Sequence, residues 1–213
     1  MVDKLERVDL VPPDKLKGLL GSYYPPPVPV PHFINQKIEE IYSVNRVHIV
    51  VNPFAGKKKG KDLARLIEGE LRQSRIKSVV HFTEHVNHAE ELVSELELIE
   101  GDALMSVGGD GTISEIITGL LKRNDSSSTS IPLSIVPAGS GNSQANDMKI
   151  TDYLDALQRL ISGKLRKMDV GKVTYFSDGR KSVRYTHNLV GWGLGVDANI
   201  LAERMRFLGP MRY

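Results

Sequence analysis

Residues 103–121 read ALMSVGGDGTISEIITGLL, and this stretch decides the fold. Ala103–Val107 is an apolar run with the length of one buried strand. Gly108 and Gly109 stop it. Ile113, Ile116, Ile117, Leu120 and Leu121 then recur at helical spacing. A buried strand feeding straight into an amphipathic helix is half of a strand–helix–strand unit. The alternation continues on both sides. Arg46–Val51 (RVHIVV) predicts a strand, followed by a Gly/Lys loop over 52–60 and a helix with Leu63, Leu66, Ile67 and Leu71 on one face. Ser78–Phe82 predicts another strand, and Ala89, Leu92, Val93 and Leu96 another helix. After the polar loop 122–130 (KRNDSSSTS), Ile131–Val136 predicts a fourth strand, closed by Pro137. A last helix from about Thr151 carries Leu154, Leu157 and Ile161 and ends where Gly163 supplies a C-terminal glycine. The whole reads as an α/β fold, a Rossmann-like doubly wound parallel sheet over residues 45–163.

Ligands of such sheets lie beyond the carboxyl ends of the strands. Three glycine-bearing loops, at 52–60, 108–112 and 137–142, all follow predicted strands, so they are expected to converge on one edge and face one ligand. The first, NPFAGKKKGK from Asn52, is not a Walker loop: three residues separate Gly56 from Gly60, and Asp62 rather than Ser or Thr follows Lys61. Its lysines crowd a helix start, where the backbone dipole disfavours cations and an anion would relieve the conflict. In Gly108-Gly109-Asp110-Gly111-Thr112 a carboxylate sits on backbone that can approach a ligand closely. Thr112 and Glu115 have the spacing of a capping box. Pro137-Ala138-Gly139-Ser140-Gly141-Asn142 has the small residues that let backbone amides point at phosphates.

The flanks differ. Residues 1–44 contain the YYPPPVPVPH stretch and read as an extended Pro-rich arm or linker. Past Leu165, over 164–213, Val170–Phe176 and Ser182–Val190 predict strands joined by a turn at Ser177-Asp178-Gly179-Arg180, and Asp197–Leu208 is amphipathic. Two such strands do not make an independent sheet domain, so the chain is expected to hold only the beginning of a second domain.

Composition narrows the function. The 213 residues carry 28 basic and 26 acidic side chains, a net charge of +2, which argues against nucleic acid as partner. There is no cysteine, which excludes disulfides and thiolate metal sites and fits a reducing cytoplasm. No run approaches the roughly 18 apolar residues of a membrane span, and the N-terminus lacks an apolar signal segment. His81, His85 and His88 lack the spacing of a metal motif and read as polar loop histidines, so no metal ligand is assigned.

The Asn52-Pro53 loop, GGDGT at 108–112, PAGSGN at 137–142, Thr83-Glu84-His85-Val86-Asn87-His88-Ala89 and WGLGVDANILAERMRFLGPMRY from Trp192 together resemble the diacylglycerol kinase-type catalytic domain shared by diacylglycerol, sphingosine and ceramide kinases, with sphingosine kinases the nearest in kind. The resemblance runs from about residue 45 to the end. It implies an ATP- and Mg²⁺-dependent kinase that phosphorylates a lipid hydroxyl, with a sphingoid base first and diacylglycerol or ceramide next. It implies a cytoplasmic protein that meets its lipid by peripheral association with intracellular or plasma membrane, and a β-sandwich lipid-binding domain begun in 164–213. It implies Asp110 as the base that accepts the lipid hydroxyl proton. Asn52, Pro53, Phe54, Thr83, Glu84, His85, Val86, Asn87, Gly108, Glu115, Gly139, Ser140 and Gly141 would line the ATP site, with Arg206 and Arg212 on its phosphates. Asp197 would lie near the lipid head group. Asn199 stands where sphingosine kinases carry a second acidic residue, Gly108 and Thr112 where they usually have Ser and Leu, and Phe54 where Arg or a small residue is usual. NAD kinase shares the GGDG loop but not PAGSGN or the 83–89 segment. A non-catalytic nucleotide- or lipid-binding module is the reading from a different class.

Overall fold

Four parallel strands in the order β2-β1-β3-β4 form the centre of the described chain: β1 Arg46–Val51, β2 Lys77–Phe82, β3 Asp102–Gly108 and β4 Leu133–Pro137. The structure, a computed structural model, describes residues 41–55, 59–125, 130–177 and 179–188. Between the strands run α1 Gly60–Gln73, α2 His88–Glu95 and α3 Asp110–Lys122; α4 Ser143–Asp147 and α5 Tyr153–Ser162 follow β4. The doubly wound parallel α/β sheet read from the sequence is the fold observed.

Why β1 and β3 take the middle is plain from their composition. Every residue of β3, and all of β1 but Arg46, is buried, as for strands covered on both faces. β2 alternates exposed and half-buried residues and takes the edge. Side chains alternate across the pleat. Val47, Ile49, Val51, Ala103, Met105 and Val107 pack with Ala64, Ile67 and Leu71 of α1 and Ala156, Leu157 and Leu160 of α5. Val50 and Leu104 face the other way, onto Ala89 and Val93 of α2 and Ile116 and Leu120 of α3. Helices therefore leave β1 and β3 toward opposite faces. The crevice between those two strands is the topological switch point, where ligands bind in open α/β sheets.

The helical faces are corrected in detail. Leu66 is exposed, and Ala64 joins Ile67 and Leu71 on the buried stripe of α1. Leu154 and Ile161 are exposed on α5, whose buried stripe is Ala156, Leu157 and Leu160. In both cases the stripe is read correctly at its centre (Ile67 and Leu71, with Leu63 packed on the core, in α1; Leu157 in α5) and too wide at its edge, because sequence alone does not tell how far around an amphipathic helix the sheet contact extends. Gly163 does end α5, at φ 65°.

Residues 41–45, assigned on sequence mostly to the arm, attach to the sheet domain. Ile41 bridges Lys164, the Tyr42 N–H donates to the Gly163 carbonyl at 2.8 Å, and the Tyr42 hydroxyl donates to the Asp102 carbonyl at 2.8 Å. The rest of the arm lies outside the described residues. After α5, β5 Gly171–Ser177 and β6 Arg180–Thr186 form the antiparallel hairpin expected there, with Ser177 paired to Arg180. β6 docks on α3: the Tyr185 carbonyl accepts from the Ser114 and Thr118 hydroxyls at 3.3 and 3.5 Å.

Candidate functional site

β1, β3 and β4 run parallel, so the loops after Val51, Gly108 and Pro137 emerge on one edge. They touch. The Asn52 amide donates to Thr112 Oγ1 at 3.5 Å, and the Ala138 N–H donates to the Gly108 carbonyl at 2.9 Å. Gly109 and Gly139 meet backbone to backbone: a Cβ on Gly139 would lie 2.5 Å from the Gly109 Cα. Only two glycines permit that approach. Asn142, in the left-handed region at φ 56°, clamps the third loop by accepting the Gly139 N–H at 2.8 Å and donating to the Gly139 carbonyl at 2.9 Å.

Asp110 is the half-buried carboxylate at this meeting point. One oxygen accepts the Ser143 N–H and the other the Gln144 N–H, both at 3.0 Å. The side chain thus ties the second loop to the start of α4, and each oxygen keeps lone-pair capacity for one more partner. The amides of Ala138, Gly139, Ser143 and Gln144 are all engaged, so the third loop offers an anion fewer N–H groups than its composition implies.

Thr112 and Glu115 do not form the capping box. The helix starts three residues earlier than that spacing predicts, at Asp110, with Gly109 as its cap and no side-chain cap bond. Thr112 is buried against Gly108, where a Cβ would lie 2.4 Å from its hydroxyl, and Asn52. Glu115 instead accepts the Ala89 N–H at 3.2 Å, serving the start of α2. A capping box requires the Thr outside the helix, and the flexibility of Gly109 and Gly111 lets the helix begin before it.

The segment after β2 starts at the same edge. Thr83 is buried and its N–H donates to the Val51 carbonyl at 2.9 Å, beside Asn52. Glu84, His85 and Val86 are exposed; Asn87, at φ 69°, takes a 2.6 Å hydrogen bond from Arg184 of β6. Phe54 is exposed and Pro53 half-buried, and the Phe54 N–H donates to the Asn52 side chain at 2.9 Å. The structure therefore brings Asn52, Pro53, Thr83, Gly108, Asp110, Gly139 and Gly141 to one rim, while Glu115 sits a turn below it, binding α2. Gly56, Lys57, Lys58, Trp192, Asp197, Asn199, Arg206 and Arg212 lie outside the described residues.

Three further features bear on the site. His85, His88 and Glu91 present ligand atoms within 4.8 Å of one another. His88 Nδ1, however, accepts the Glu84 N–H at 2.9 Å, which puts the proton of the neutral ring on Nε2 and leaves that atom no lone pair for a metal. His81 is elsewhere, 3.1 Å from His48. A groove of about 440 Å³ runs between α2, α3 and the hairpin, lined by Asn87, Glu90, Lys122, Tyr175, Lys181 and Arg184. It holds none of the glycine loops, and the Lys122–Glu90 and Arg184–Asn87 contacts draw its walls together. The rim at the switch point is the better site, because strand polarity, close glycine contact and a carboxylate coincide there. Sequence reasoning missed His187, just past β6, whose ring nitrogens are buried without a partner. Burial pushes its pKa down, against the pull of the Asp110 charge. A lone His after a strand carries no motif, so nothing in the sequence could have marked it.

The diacylglycerol kinase catalytic domain family matches residues 46–173. The chain is 27% identical to sphingosine kinase 2 of Arabidopsis thaliana, over 84% of this chain and 38% of that protein. It is 32% identical to human sphingosine kinase 2, over 79% of this chain and 27% of that protein, and 29% identical to human ceramide kinase, over 78% and 33%. It therefore spans between 27% and 38% of the length of these relatives. A solved diacylglycerol kinase from Bacillus anthracis str. Sterne aligns with 64% of this chain and 47% of its own, at a TM-score of 0.49 and 21% identity.

Proposed function

The chain belongs to the diacylglycerol kinase catalytic domain family, and on that premise we propose that it is the nucleotide-binding part of an ATP-dependent lipid kinase. The observation that carries this reading is the meeting of three glycine-bearing loops around Asp110 at the switch point of the sheet. Phosphoryl transfer depends on positioning and on neutralising charge over the transferred group. A triphosphate laid along this rim would meet the glycine backbones and the lysines at the start of α1.

In the proposed reaction the lipid hydroxyl oxygen attacks the γ-phosphorus and the bond to the β-phosphate oxygen breaks. Asp110 takes the hydroxyl proton. General-base assistance of this kind is typically worth about 10²–10⁴-fold. Mg²⁺ would neutralise charge on the phosphates, held mainly by phosphate oxygens and water, and the Asp110 carboxylate is left to take the proton. Asn52, Pro53, Thr83 and Gly139 to Gly141 would line the nucleotide; Arg206 and Arg212 would reach its phosphates.

A sphingoid base is the acceptor we favour, supported by the names of the relatives; diacylglycerol and ceramide come next. Asp197 and Asn199 would face the lipid head group. The hairpin β5–β6 would open a lipid-binding domain over 164–213, after a nucleotide domain over 45–163. No helix among the described residues is long and apolar enough to cross a membrane. The lipid would be met by peripheral association with a membrane surface. The test is incubation of the chain with ATP, Mg²⁺ and a panel of sphingosine, ceramide, diacylglycerol and NAD, read by product mass. A phosphorylated lipid supports the reading; NAD phosphate with no lipid product overturns it.

A further inference from the structure

His187 is a half-buried residue just past β6 whose two ring nitrogens are both buried. Neither ring nitrogen is solvent-accessible, and neither meets a hydrogen-bond partner. A neutral imidazole has one N–H and one lone pair to satisfy, and a sealed, unpaired polar group in a native fold calls for an explanation such as a ligand.

Its place in the fold supplies one. Tyr185 pins β6 to α3 through the Ser114 and Thr118 hydroxyls, and the Tyr185 N–H adds a 3.4 Å bond to Thr118. Ser114 lies one helical turn from Asp110. Two residues beyond Tyr185, His187 stands within the field of the Asp110 carboxylate. The start of α4 reaches that carboxylate through the Ser143 and Gln144 amides. The hairpin, an independent element, is pinned to the helix that Asp110 opens, and His187 lies two residues past that pin.

Burial holds the ring in its neutral form. A neutral imidazole is a poor partner for a triphosphate, which the lysines and glycine amides suit better, and a good partner for an uncharged hydroxyl.

We propose that His187 belongs to the acceptor site, where its ring N–H donates to the oxygen of the hydroxyl that Asp110 deprotonates. Once its proton is on Asp110 the oxygen carries three lone pairs: His187 holds one, and the pair left by the proton attacks the γ-phosphorus as the bond to the β-phosphate oxygen breaks and ADP leaves. This rests on the lipid-kinase reading above.

The test uses the chain with ¹³C,¹⁵N-histidine, the His187 signal being the one missing from His187→Gln. A neutral ring is expected at pH 7. Short-chain sphingosine should shift that signal, and ATP alone should leave it nearly in place. In transfer assays His187→Ala should raise the lipid KM or lower kcat about tenfold, the scale of one lost hydrogen bond. The KM for ATP should change less than about twofold, and His187→Gln, which restores a neutral donor, should recover part of the loss. If sphingosine moves other signals but not that of His187, or if His187→Ala handles lipid like the parent chain, the proposal is overturned while the kinase reading stands. If the parent chain neither binds nor phosphorylates any lipid, the kinase reading falls and the proposal with it. Should His187→Ala not fold, the spectra of the unsubstituted chain decide alone.

Discussion

Asp110→Asn should remove phosphoryl transfer and also loosen the fold, because this carboxylate is both the proposed base and a structural tie. In the folded chain its two oxygens accept the Ser143 and Gln144 N–H groups at 3.0 Å. Asn keeps one acceptor oxygen and turns an NH₂ group toward the other N–H, donor against donor. Losing one charge-assisted hydrogen bond costs about 1.5–3 kcal/mol, and the surviving bond weakens to the neutral range. The site is half-buried, so water recovers part of this, and a net loss of about 1–2 kcal/mol is expected. For a chain of this length that corresponds to roughly 2–8 °C in Tm. Urea melts of parent and variant, read for a lower midpoint at unchanged slope, measure it directly. A variant that loses transfer but melts with the parent would refute the structural half of the argument. One that transfers at the parental rate would refute the catalytic half.

Other outcomes follow from the same geometry. Gly139→Ala places a methyl 2.5 Å from the Gly109 Cα and must part the second and third loops; calorimetry should show ATP affinity falling at least about tenfold, with overpacking costing about 1–3 kcal/mol in a melt. Gly119→Ala gains about 1 kcal/mol of helix propensity on α3, yet its Cβ would lie 2.5 Å from the Glu90 carbonyl, so urea melts should show net destabilisation as α2 is pushed away. Acid should destabilise the chain in two steps. Burial lowers the pKa of His48, His81 and His187 in the folded state, so the unfolded chain binds more protons below about pH 6.5 and stability falls as pH drops from there. Burial pushes Asp102 up, but the Arg46 hydrogen bond, the Ile99 N–H and the Arg46 charge hold it below its ordinary value of 3.8, so its contribution is present above that pH and is lost as pH falls through the folded value. Melts from pH 8 to 3 check this, and His81→Gln should flatten the first step.

Much of this was legible in the chain itself. The apolar runs RVHIVV and ALMSV and the helical spacing of Ile113, Ile116, Ile117 and Leu120 determine a parallel sheet with helices on both faces, because burial on both sides of a strand demands continuous apolar sequence. Strand polarity then forces the loops after Val51, Gly108 and Pro137 onto one edge, so the meeting point was legible too. Tertiary structure alone decided what each side chain does there. Thr112 and Glu115 have capping-box spacing, yet one is buried under Gly108 and the other serves α2, since a helix start depends on the backbone that Gly109 and Gly111 leave free. Asp110 turned out to tie the second loop to the start of α4, and the ring nitrogens of His187, just past β6, turned out buried without a partner. Local periodicity is written in neighbours along the sequence; hydrogen bonds between loops are made by residues that only folding brings within reach.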